Sequence, residues 1–253
     1  MATIIALTNQ KGGVGKTTSA AAIACAFAAK GNKVLAVDLD PQGNLGFSLG
    51  LDIEEGATIY EVLKGQAAVA DAIRECPYCD VLMSNILLSG AELEFNRPGR
   101  EYLLKNILSG IEEKYDYIII DTPPALNLLT VNAYVVSQYL IIPMVPEILS
   151  LLGVSQIKET IDTVVKFYNP ALSILGILLT KYNKRTLLAQ EVNEMAENIA
   201  GQLGTRVFDS KIRSSVVIAE APAHGESIFD YAPRANPTLD YQDLLAEIEQ
   251  AIH

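Results

Sequence analysis

The stretch Asn9-Gln10-Lys11-Gly12-Gly13-Val14-Gly15-Lys16-Thr17-Thr18 decides how the chain is read. It follows the apolar run Ile4-Ile5-Ala6-Leu7 and leads into an alanine-rich run over 19–29. Strand, glycine loop and helix in that order are the setting a phosphate-binding loop requires. Gly12, Gly13 and Gly15 let the backbone take conformations closed to other residues. They bring amide N–H groups around phosphate oxygens, at a helix N-terminus whose partial positive charge favours anions. The segment from Lys11 to Thr18 is therefore expected to hold a nucleotide, with Lys16 against the β- and γ-phosphates and the Thr17 hydroxyl in a Mg²⁺ shell. The general pattern G-x-x-x-x-G-K-[ST] asks for glycine at position 10. This chain has Gln10 there, and an additional Lys11 at the mouth of the loop.

Outward from the loop, continuous apolar runs recur at residues 4–8, 34–37, 81–84, 117–120, 140–145 and 172–180, with helix-length segments near 17–29, 99–114, 126–137, 151–168 and 187–200. Short Val/Ile/Leu runs alternating with helices signify strands buried on both faces. The expected fold is doubly wound α/β: a mostly parallel sheet with helices on both faces and its ligand at the carboxyl ends of the strands. No internal repeat, low-complexity tract or Gly/Ser linker interrupts the 253 residues, so one domain over 1–253 is expected.

Two strand ends deliver carboxylates. After the second run comes Asp38-Leu39-Asp40-Pro41-Gln42-Gly43-Asn44, where alternate residues of an extended segment point the same way and let both acids share one site. Asp38 suits Mg²⁺ through water, and Asp40 suits orienting or deprotonating a water that attacks the γ-phosphate. Taken alone, the same residues also suit an ordinary turn. Tyr117-Ile118-Ile119-Ile120-Asp121-Thr122-Pro123-Pro124 brings a third acid, Asp121, able to hold the Mg²⁺ shell from the other side.

Composition bounds the function. A formal charge of -11 and a pI near 4.7 exclude a surface that coats nucleic acid or anionic membrane as a whole, so any such contact must be local. Three cysteines are too few for a disulfide framework, and no charged-then-apolar signal opens the chain, which together point to the cytoplasm. No run of about 18 apolar residues indicates a membrane span. The tail over 239–253 reads as an amphipathic helix whose charges are all acidic. It is expected to pack on the domain, because anionic lipid would repel it. Cys76-Pro77-Tyr78-Cys79 supplies two thiols, half a zinc site at most, and precedes a strand instead of following one at the nucleotide end. It reads as two incidental thiols.

Lys11-Gly12-Gly13-Val14-Gly15-Lys16-Thr17 resembles the deviant Walker A motif of the P-loop ATPases that include ParA/Soj, MinD and the nitrogenase iron protein. Asn9-Gln10 is most similar to the ParA/Soj branch, the 38–44 segment resembles that family's switch I, and Asp121-Thr122-Pro123-Pro124 resembles its Walker B and switch II. The resemblance implies an Mg²⁺-dependent ATPase switch in which Lys11, Lys16 and Asp40 act on ATP. Lys11 of each subunit would reach the other's ATP in a nucleotide-sandwich homodimer. It further implies non-specific DNA binding by the ATP-bound dimer, slow hydrolysis stimulated by a ParB-like protein, nucleoid association, and the positioning of plasmid, chromosome or other cargo. It puts Asn183 beside the adenine, although a polar residue there equally suits capping the next helix.

The segment 211–225 resembles a late block of ParA/Soj proteins through Glu220-Ala221-Pro222 and Gly225, but the arginines of the family's DNA-binding surface fall here on Ser214 and Val217. Between Lys181 and Arg213 six basic residues face four acidic ones, a local excess of two. That leaves two readings of Lys184, Arg185, Lys211 and Arg213: a phosphate-contacting patch, or a solvated face. The alternative function is MinD-like positioning on a membrane or protein surface, with the acidic tail against the membrane version.

Overall fold

The computed structural model describes residues 1–52, 56–146, 154–183 and 188–252. Strand alternation builds two cores, one on each face of a sheet. In β1 (Thr3–Leu7), Ile4 and Ala6 enter one core and Ile5 and Leu7 the other. In β2 (Val34–Asp38), Leu35 and Val37 oppose Val34 and Ala36 in the same way. β3 (Ile73–Glu75) and β4 (Asp80–Leu82) form a hairpin. They are followed by β5 (Tyr117–Asp121), β6 (Tyr139–Met144) and β7 (Ser173–Leu179). Residues apolar on both faces need cover on both faces, which is why helices flank the sheet on either side.

The described strands form one seven-stranded sheet in the order β3-β4-β2-β5-β1-β6-β7, parallel throughout except for the antiparallel β3–β4 pair at one edge. From β1 the chain passes over β5 to β2, and later from β5 over β1 to β6. The crevice at such a reversal, beyond the carboxyl ends of the strands, is where doubly wound sheets hold ligands. The register places Asp38 opposite Asp121 and Asp121 opposite Leu7, so the two acids and the start of the glycine loop arrive at the same level.

The expected strands are all present, and β3 is an additional one. Ile73-Arg74-Glu75 is three half-exposed or exposed residues at an edge, without the continuous apolar run that marks a buried strand. The helix expected over 99–114 is broken. A 3₁₀ turn at Arg100–Tyr102 leads into a short α-helix, Leu103–Leu108, and a second 3₁₀ turn at Glu112–Lys114. Ser109-Gly110 closes the α-helix, with the Gly110 N–H donating to Ile107 at 3.4 Å, because serine and glycine propagate a helix poorly. The tail helix, Asn236–Ile252, packs as expected, with Leu244, Leu245 and Ile248 buried in the core that also holds Ile23 and Phe27 of the Lys16–Ala29 helix. Its acids tie it down: Glu249 pairs with Lys30, and the Glu247 carboxylate accepts the Asp209 and Ser210 N–H groups. Among the described residues no helix is long and apolar enough to cross a membrane.

Candidate nucleotide site

The loop between β1 and the Lys16–Ala29 helix is held by its own side chains and by two neighbouring strands. Asn9 Oδ1 accepts the Lys11 N–H at 3.0 Å while its Nδ2 donates to the Pro143 carbonyl on β6 at 2.7 Å. Thr180, just past β7, donates its hydroxyl to the Val14 carbonyl at 2.8 Å, so the buried middle of the loop hangs from the end of a strand. Gly13 and Gly15 have φ of +74° and +84°, a region that side-chain-bearing residues rarely adopt. Gly15 then caps the helix without any side-chain hydrogen bond, leaving the first-turn amides available to an anion. Gly12 and Gly13 are exposed, and Lys11, Thr17 and Thr18 are half-buried.

Lys16 is the buried cation of the site, 6% exposed, with its Nζ donating to the Lys11 carbonyl at 3.3 Å. Burial pulls its pKa below the ordinary lysine value, while Asp121 and Asp40 pull it back up. An ammonium held among acids and partly stripped of water is suited to polyanion binding.

The three predicted acids converge but differ in surroundings. Asp38 is fully buried, and each of its oxygens takes one backbone N–H, Asp40 at 2.9 Å and Leu45 at 3.0 Å. It thereby shapes the following loop and retains lone pairs for a water. Burial, and then the neighbouring Asp121 charge, push its pKa well above the usual carboxylate range. Asp121 is 1% exposed, and neither of its oxygens has a hydrogen-bond partner. Burial pushes its pKa up to about 7, opposed by the Thr17 hydroxyl and the Lys16 charge. Thr17 is near enough to lower that pKa, yet it completes no well-formed hydrogen bond with the carboxyl, which stays unsatisfied. Asp40 is half-buried and accepts the Gln42 N–H at 3.0 Å.

An unsatisfied buried carboxylate is costly unless something completes it. Beside a hydroxyl and a phosphate cradle, the chemistry that fits is a hydrated divalent cation. Among the described residues no group of three or more His, Cys, Asp and Glu is arranged to hold a metal.

Of the remaining predicted residues, Asn183, Lys211 and Arg213 are described. Asn183 is exposed, directly after Tyr182, whose backbone pairs with the segment at Ile212 to Ser214. Lys184 and Arg185 fall outside the described residues. The Lys211 ammonium lies 5.6 Å from the centre of the Tyr182 ring. The Arg213 guanidinium is clasped by Asp240, Nη2 to Oδ1 at 2.6 Å and Nε at 3.0 Å from both oxygens. Sequence reasoning missed Asn9 and Thr180 as loop supports. Asn9 was readable, since asparagine commonly accepts the N–H two residues on; Thr180, 166 residues from Val14, was not.

The AAA domain family matches residues 2–174. The chain is 41% identical over 254 residues to the sporulation initiation inhibitor protein Soj of Bacillus subtilis, covering 98% of each. It is 38% identical over 251 residues to the chromosome partitioning protein ParA of Caulobacter vibrioides, covering 97% of this chain and 93% of that one. A cobyrinic acid a,c-diamide synthase from Mycobacterium smegmatis, solved with bound ADP and magnesium, superposes with a TM-score of 0.86 at 34% identity, over 99% of this chain and 95% of that one.

Proposed function

The chain belongs to the ParA/Soj family of P-loop partition ATPases, and from that premise we propose that it is an Mg²⁺-dependent ATP hydrolase working as a nucleotide-switched homodimer. The observation that carries the reading is Asp121: two unsatisfied buried oxygens next to Lys16 and Thr17, at the carboxyl ends of β1, β2 and β5.

The amides of the Gly12–Thr17 turn cradle the phosphate chain, and Lys16 leaves the Lys11 carbonyl to meet the β- and γ-phosphates. Thr17, Asp121 and Asp38 would hold the cation. Bound there, Mg²⁺ supplies neutralisation of the charge developing on the β,γ-bridge. Asp40, at the half-open edge of the site, orients the attacking water and takes its proton. Lys11 stands at the mouth and reaches the ATP of a second copy, so that full charge stabilisation awaits assembly. Asn183 lies on the adenine side.

In this reading the ATP-bound dimer holds non-specific DNA at the nucleoid, and a ParB-like protein stimulates hydrolysis and release, which moves plasmid, chromosome or other cargo. Lys211 and Arg213, with Lys184 and Arg185, would supply the phosphate contacts. One observation favours a second output: Arg213 is already neutralised by Asp240, and Ser214 and Val217 stand where the family's arginines are expected. A protein surface would then replace DNA as the matrix.

The test is phosphate release. Wild-type protein is expected to hydrolyse ATP only with Mg²⁺, and Asp40→Ala to bind ATP unchanged while release falls on the order of 10²-fold or more. Release at the wild-type rate in Asp40→Ala overturns the assignment.

A further inference from the structure

The β3–β4 hairpin turns through Cys76-Pro77-Tyr78-Cys79, at the edge of the sheet. Glu75 pairs with Asp80 across the hairpin, so Cys76 and Cys79 are the next pair in register and flank a two-residue turn. The Cys76 N–H donates to the Cys79 carbonyl at 3.3 Å, and the Cys76 thiol reaches the same carbonyl at 3.0 Å. Residues opposite one another in an antiparallel pair project to the same side, with Cα atoms about 5.5 Å apart. That spacing falls within the roughly 4.4–6.8 Å a disulfide spans. Both thiols are free.

The two are unequal. Cys76 is half-exposed, whereas Cys79 is buried. The Cys79 side chain is the main stabiliser of the Cys76 thiolate and lowers its pKa to about 6, while the same contact, with burial, raises that of Cys79. Asp80 opposes ionisation of Cys76. The third thiol, Cys25 on the Lys16–Ala29 helix, has Cys76 among its neighbours but is pushed up to about 12 by burial and stays protonated.

An accessible thiol backed by a buried one is the arrangement thiol–disulfide exchange requires. We propose that Cys76 and Cys79 form a redox-active dithiol that reduces a small-molecule disulfide, with Cys76 attacking and Cys79 resolving. The Cys76 thiolate displaces one thiolate of the small disulfide and forms a mixed disulfide. Capping Cys76 as the mixed disulfide removes the thiolate contact that is the main cause of the raised Cys79 pKa; Cys79 then gives its proton to solvent as it attacks the Cys76 sulfur, expelling the second thiolate. Two electrons pass from the pair to the small disulfide, leaving an intrachain Cys76–Cys79 bond and two small thiols, with no other oxidant. This proposal departs from the sequence reading of two incidental thiols.

The test incubates the full-length protein with oxidised glutathione, followed by thiol titration and peptide mass mapping. Wild-type protein is expected to lose two of its three thiols, retain no glutathione, and show Cys76 and Cys79 linked. Cys79→Ala should trap a stable glutathione adduct on Cys76, and Cys76→Ser should give neither adduct nor bond. Alkylation of Cys76 by iodoacetamide in Cys79→Ser should shift its midpoint upward from that of wild type. Three titratable thiols in oxidised wild-type protein, a persistent wild-type adduct, or a bond that includes Cys25 overturns the proposal.

Discussion

The glycine-loop end of the sheet and the C-terminal part of the basic stretch, from Arg206 to Arg213, treat their charges in opposite ways. At the loop, Lys16 and Asp121 are almost wholly buried, and the carboxylate has no hydrogen-bond partner. In the basic segment every described cation has a protein contact. Arg213 is clasped by Asp240, Arg206 donates to the Glu247 carbonyl and lies over Phe208, and Lys211 lies over Tyr182. Charge left unsatisfied in a buried place waits for a ligand, whereas charge matched within the chain holds elements together. The difference separates a built phosphate site from a surface whose first duty is to fasten the last helix.

The loop side of that comparison breaks most completely with Lys16→Ala. Removing the one buried cation from a site lined by acids should weaken ATP binding by about 2–5 kcal/mol, measured by calorimetry. Unchanged affinity removes the loop from the nucleotide. Lys11→Ala probes the mouth, where the lysine is half-buried and the proposed function has it reach a second copy. ATP affinity should hold while the dimer dissociates on the order of 10²-fold more readily in size-exclusion chromatography with ATP and Mg²⁺. A variant that dimerises as well as wild type rules out the sandwich.

The two regions also differed in how much of them the sequence made legible. Buried parallel strands announce themselves as continuous apolar runs, and an acid ending such a run lands at the ligand end. Asp38, Asp40 and Asp121 could therefore be read together with the glycine loop from local pattern alone. β3 escaped because an edge strand needs no apolar run, and the 99–114 helix was read as continuous because periodicity carries little information on where Ser109-Gly110 interrupts it. Arg213 could be counted as a basic residue but not as a committed one. Its partner is 27 positions away on a helix whose docking is a tertiary event.

A sharper form of the comparison concerns the cost of the unsatisfied acid. Burial pushes the Asp121 pKa up to about 7 in the folded chain, against about 3.9 unfolded. The folded state therefore binds more protons than the unfolded state between those values, and stability falls as pH rises from about 4 towards about 7. Asp121→Asn removes that loss and relieves Asp38, whose raised pKa owes its second-largest part to the Asp121 charge. In EDTA the variant should melt higher than wild type at pH 8 by on the order of a few degrees, with the gap closing near pH 4. Its Mg²⁺-dependent hydrolysis should fall at the same time. A variant less stable than wild type at pH 8 contradicts the strain assigned to this carboxylate.

The smallest effect probes the other side. Asp240 is 7% exposed and accepts both the Arg213 backbone N–H and its guanidinium, so Asp240→Asn keeps the shape while cancelling the charge that neutralises the arginine. The side-chain pair is partly exposed on the arginine side, at 39%, which screens it and limits the cost in stability. If the basic segment binds DNA, releasing Arg213 adds one phosphate contact. Mobility-shift affinity of the ATP-loaded protein for unrelated duplexes should then rise a few-fold at low salt, and the slope of log affinity against log salt should steepen by about one. If affinity for DNA is nil both before and after the change, the segment serves only as a fastening, and the cargo matrix is a protein surface. Either result turns on one carboxylate, because this region otherwise lacks the unsatisfied charge that made the nucleotide site recognisable.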